Sequence, residues 1–90
     1  MRTEPVEIYS DASNQAILRH PGRRFPGVLI QGDTLKILHA EVAGALREVG
    51  DGLSEDARLD LEHVRDFLGG CLEHYRAVLG EHDMELPFAE

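Results

Sequence analysis

The 90 residues include one cysteine, no tryptophan, three phenylalanines and two tyrosines. A lone cysteine excludes an internal disulfide, which fits a reducing compartment, and a cytoplasmic location is expected. Long apolar runs are also missing. No stretch approaches the ~18 apolar residues of a membrane span, and Met1–Pro5 carries no apolar leader, so no membrane partner is expected. Positive charge is scarce, with nine Lys and Arg against 17 Asp and Glu, a formal net charge of −8. Such a chain repels phosphate backbones, and a nucleic-acid partner is not expected.

The charge that is present is polarised. Residues 19–36 hold Arg19, Arg23, Arg24 and Lys36 against Asp33 alone, net +3, whereas residues 37–90 hold four Arg against thirteen acids, net −9. A content of 42% apolar and 29% charged residues is that of a folded chain rather than a disordered tail. Ninety residues read as one small domain spanning 1–90, whose core is small because so short a chain buries only roughly 60% of its surface.

Val6-Glu-Ile-Tyr-Ser10 alternates apolar and polar side chains, the period of a half-buried strand. Asp11–Asn14 is turn chemistry, and Gln15–Arg19 reads as a second strand, with one helical turn as its rival. His20 to Pro26 carries two prolines and a glycine and must be a loop. Gly27–Gln31 reads as a buried strand pairing with the second across that loop. Asp33 is suited to cap a helix whose apolar positions Leu35, Leu38, Val42, Ala45, Leu46 and Val49 form one stripe, and Gly50 is suited to end it in the left-handed conformation. Ser54 should cap a second helix, with Ala57, Leu61, Val64, Leu68, Cys71, Tyr75 and Val78 inward and Gly80 as its stop. The expected fold is α+β: two or three antiparallel strands (5–31) packed against an antiparallel helical hairpin (33–80), followed by an extended tail (81–90) lying along a sheet edge, over the core, or frayed.

The strings EIYSDASN (7–14), HPGRRFPGVLIQGDTL (20–35) and the tail GEH…LPF resemble a family of small bacterial single-domain proteins known only as a domain of unknown function. The resemblance implies a bacterial origin and shared residues concentrated in the strand and loop half. It implies no catalytic role for any residue.

Residue chemistry singles out two constellations. His20, Arg23, Arg24 and Phe25 sit in a loop stiffened by Pro and Gly, where guanidinium forks could clamp an anion or a protein surface. Against this, the arginines could simply solubilise the loop or pair with acids of the hairpin, and Phe25 is expected to fold back onto the core. The second is a metal reading. In a hairpin turning near residue 51, His39 falls opposite residues 63–65, which groups it with Asp60 and His63. Ordinary solvated side chains are the favoured reading of those three. Cys71, in mid-helix on the inward stripe, reads as a small buried hydrophobe, and Glu55, Asp56, Glu62, Asp66 and Glu73 as a solvated face. The expected function is a small acidic protein-interaction module, immunity-type or regulatory, whose partner is a protein with a basic surface. No cofactor is expected and an enzyme is disfavoured. The alternative is a metal-binding protein or small metal-dependent enzyme using His39, Asp60 and His63, and a homo-oligomer is compatible with either.

Overall fold

A computed structural model describes residues 1–89. The architecture is α+β: a three-stranded antiparallel sheet and two helices packed together. The chain divides into two compact units, Met1–Gln31 and Gly32–Glu90.

The first unit is the sheet, β1 (Glu7–Ser10), β2 (Ala16–Arg19) and β3 (Gly27–Leu29), in spatial order β1-β2-β3. The β1–β2 connection turns where Asn14 adopts φ 60°, a left-handed conformation that asparagine tolerates better than most residues, and the Gln15 amide donates to the Ala12 carbonyl at 3.1 Å. The helical rival for residues 15–19 is thereby excluded. β2 and β3 pair across the proline-rich loop, with Ala16 opposite Leu29, Ile17 opposite Val28 and Leu18 opposite Gly27. Between β1 and β2 the register is Glu7–Arg19, Ile8–Leu18 and Ser10–Ile17, with an irregularity at Tyr9. Opposed residues point to the same side of an antiparallel sheet. One face is therefore wholly apolar, carrying Ile8, Ala16, Leu18 and Leu29, while the other mixes Glu7, Ser10, Arg19, Ile17 and Val28. β3, expected to be buried, is exposed at all three residues, because its unit has no second layer to cover either face of the sheet.

The second unit is the hairpin. α1 (Gly32–Val49) starts one residue earlier than the sequence suggests, so Asp33 lies in its first turn and not at the cap, and its Oδ1 accepts from the Thr34 amide at 2.9 Å. Gly32 is buried, and a Cβ there would meet the Tyr75 ring at 2.3 Å, so glycine is required by close approach. Gly50 does not take the left-handed conformation. It opens a 3-10 turn, Gly50–Gly52, after which Leu53 and Ser54 are extended. Ser54 caps α2 (Glu55–Glu81) as expected, its Oγ accepting from the Ala57 amide at 3.2 Å.

The end of α2 also departs from expectation. Gly80 stays helical, and the left-handed residue is Asp83, φ 54°. The Met84 amide donates to the Leu79 carbonyl at 2.9 Å and the Asp83 amide to the Gly80 carbonyl at 3.2 Å. These are the two bonds of a Schellman motif, with aspartate where glycine is commonest. The tail then docks within this unit: the Phe88 ring lies 6.4 Å from that of Tyr75, with Lys36 Nζ at 4.8 Å and the Arg76 guanidinium at 5.6 Å from its centroid.

Packing in the hairpin follows most of the expected stripe and departs from it at four positions. Leu72, outside that stripe, is the one fully buried large side chain among the described residues, while Leu38, Ala45, Val49 and Val64, placed inward, are exposed. The half-buried or buried residues of α2 include 58, 61, 65, 68, 72, 75 and 79, spaced alternately three and four apart, beside Ala57, Cys71 and Val78 of the expected stripe.

Candidate functional site

The loop His20–Pro26 is fixed from below by the last residue of β2. Arg19 Nη1 donates to the Arg23 carbonyl at 2.9 Å while its Nη2 pairs with the Glu7 carboxylate across the strands. The Arg23 amide donates to the His20 carbonyl at 2.9 Å, and the Gly22 amide to His20 Nδ1 at 3.0 Å. Neutral His20 therefore carries its proton on Nε2, and its ring joins Arg2, Glu4, Val6 and Pro21 around a cleft of about 320 Å³. Phe25 does not fold back. It is 72% exposed with the Arg24 guanidinium 5.4 Å above its ring, because Pro26 and the short edge strand after it offer no apolar cover. Among the described residues neither Arg23 nor Arg24 has an acidic partner. The four loop residues are thus held together as one exposed surface containing arginine and an aromatic ring, the residue types most often decisive at protein interfaces.

A second surface lies on the outer side of α2. Leu59, His63 and Phe67 follow at four-residue intervals, all exposed, and Phe67 is 66% exposed. Asp56, Asp60, Asp66 and Glu73 surround them in sequence and are exposed as well. Two large apolar side chains, Leu59 and Phe67, thus stand exposed among carboxylates that are solvated as expected. Glu62 departs from the solvated face assigned to it: it is half-buried and accepts from Arg58 Nη1 at 3.2 Å. The Leu59 and Phe67 pair was readable in the sequence as two large apolar residues eight apart that fall outside the inward stripe.

His39, Asp60 and His63 are not brought together. A Cβ on Gly69 would stand 3.2 Å from His39 Nε2, so the imidazole packs on α2 six residues beyond His63. The connection accounts for the offset, since the 3-10 turn and two extended residues displace the facing partner by about 9 Å along the helix. Among the described residues no group of three or more His, Cys, Asp and Glu side chains is arranged to hold a metal ion. Cys71 is half-buried, and no described helix is long and apolar enough to cross a membrane.

Fold and surfaces together define a small α+β protein with exposed apolar and charged faces. The chain belongs to the Family of unknown function (DUF6959), whose model matches residues 1–88. No curated protein and no solved structure is similar enough to this chain to register a match.

Proposed function

We propose that the protein is a small acidic binding module whose partner is a protein with a basic surface, in an immunity-type or regulatory pairing. The observation that carries this is the outer face of α2, where Leu59 and Phe67 stand exposed among Asp56, Asp60 and Asp66. Apolar side chains in the centre supply affinity once water is excluded, and the acidic rim steers a cationic partner and rejects an anionic one. The His20–Phe25 loop adds a contact of different chemistry, in which guanidinium forks and an aromatic ring set register. A catalytic reading lacks support of the same kind, since the His39, Asp60 and His63 side chains are dispersed.

The test is capture on immobilised protein from lysate of its native host, with the wild type compared with Phe67→Ser and with Asp60→Lys/Asp66→Lys. One partner rich in Lys and Arg should bind the wild type, elute as ionic strength rises, and be lost by both variants. Binding that ignores both salt and Phe67 would sink the proposal. So would sedimentation showing that the Phe67 face joins two copies of this chain.

A further inference from the structure

We infer that the cleft at the closed end of the helical hairpin is a binding site for a small multivalent oxyanion of the phosphate or phosphate-monoester class. The inward seam of α2 carries leucine at 61, 68, 72 and 79 and tyrosine at 75, yet arginine at 58 and 65, both half-buried. Apolar residues at those two positions would have continued the core. Arginine at these two positions interrupts the apolar pattern of the seam, and breaches of local patterning of this kind gather at functional sites.

Arg58 and Arg65 face Arg47 and Leu46 of α1 across an open cleft of about 310 Å³, which Asp51 and Glu62 also line. Three of the four arginines of residues 37–90 thus converge on one place in a segment whose net charge is −9. Their donors are only partly used. Arg58 gives Nη1 to Glu62, Arg65 gives Nε to Asp66 at 2.9 Å, and Arg47 has no acidic partner among the described residues. Both terminal nitrogens of Arg65 remain for a ligand. The hydrogen bond that Arg65 donates to the Asp66 carboxylate holds the guanidinium above its ordinary pKa, so it is charged at any physiological pH. Arg47, Arg58 and Arg65 are balanced by Asp51, Glu62 and Asp66, but the unused terminal donors of Arg47 and Arg65 are planar forks on two different helices and suit a tetrahedral oxyanion, each able to take two of its oxygens. The volume lies at the lower limit for small-molecule sites and the walls are polar, which selects a compact anion over an apolar ligand or a polymer.

The test uses the full, isotope-labelled chain titrated with sodium phosphate against sodium chloride at matched ionic strength, followed by amide chemical shifts. Phosphate should give saturable shifts confined to residues 43–51 and 58–65. Affinity should fall about tenfold in Arg47→Ala, the loss of one charge-assisted contact. It should rise in Glu62→Gln, which frees the Arg58 fork, and stay unchanged in Lys36→Gln, a charge-matched loss outside the cleft. Shifts that do not saturate, that chloride reproduces, or that Lys36→Gln weakens as much as Arg47→Ala would overturn the proposal, as would tighter binding of succinate than of phosphate.

Discussion

The sheet unit and the hairpin unit solve the burial problem differently. In residues 1–31 no side chain is fully buried, and the apolar face of the sheet leaves Ile8 59% exposed. In residues 32–89 packing concentrates on Leu72, 2% exposed, and on the meeting of Tyr75 with Gly32. Both units carry large apolar side chains, but only the hairpin has a second element of its own against which to close a seam. Three short strands can pair with one another without covering either face. Apolar content therefore measures the capacity to bury surface, and the partner elements determine how much of it is used.

Substitutions can break or sharpen this contrast. Leu72→Ala empties the one fully enclosed site among the described residues and should cost about 3 kcal/mol, read as a lower midpoint in chemical denaturation. If the loss is under about 1 kcal/mol, the hairpin has no more of a core than the sheet. Gly32→Ala drives a methyl into the Tyr75 ring and should cost about 2 kcal/mol by the same measurement. In a Tyr75→Ala background Gly32→Ala should cost less than in the wild type, a coupling that a purely conformational effect of alanine would not produce. Removing the α2 cap in Ser54→Ala should cost about 1 kcal/mol, with Ser54→Asp close to wild type. Ile8→Thr, on the open sheet face, should shift stability by less than about 0.5 kcal/mol. A large loss there would mean that the sheet face is covered in solution.

Much of this was legible in the residues. Ser54 followed by Glu55 and Asp56 fixed the start of α2, and the two prolines between apolar runs separated β2 from β3. Less visible was anything that depends on how two elements meet. Gly50 and Gly80 were natural left-handed stops, yet a 3-10 turn used the first and Asp83 took over from the second, because a cap is chosen by the chain that follows it. The inward face of α2 was read from apolar residues alone, which hid Arg58 and Arg65 in the seam and the half-buried Glu62 that pairs with Arg58. The grouping of His39 with His63 failed for a related reason: hairpin register depends on the path of the connection, and no residue at 39 or 63 encodes that path. The loop residues His20, Arg23, Arg24 and Phe25 were found, but the exposure of Phe25 was not, since an aromatic ring beside a core and one under an arginine have the same local sequence.

The docking of Phe88 between two cations and Tyr75 gives the protein a built-in spectroscopic label. Protons on the Lys36 carbon next to Nζ, which sits 4.8 Å from the ring centroid, experience its ring current and resonate away from those of a solvated lysine. One resolved signal therefore reports whether the C-terminal segment is seated, in any buffer and without a dye.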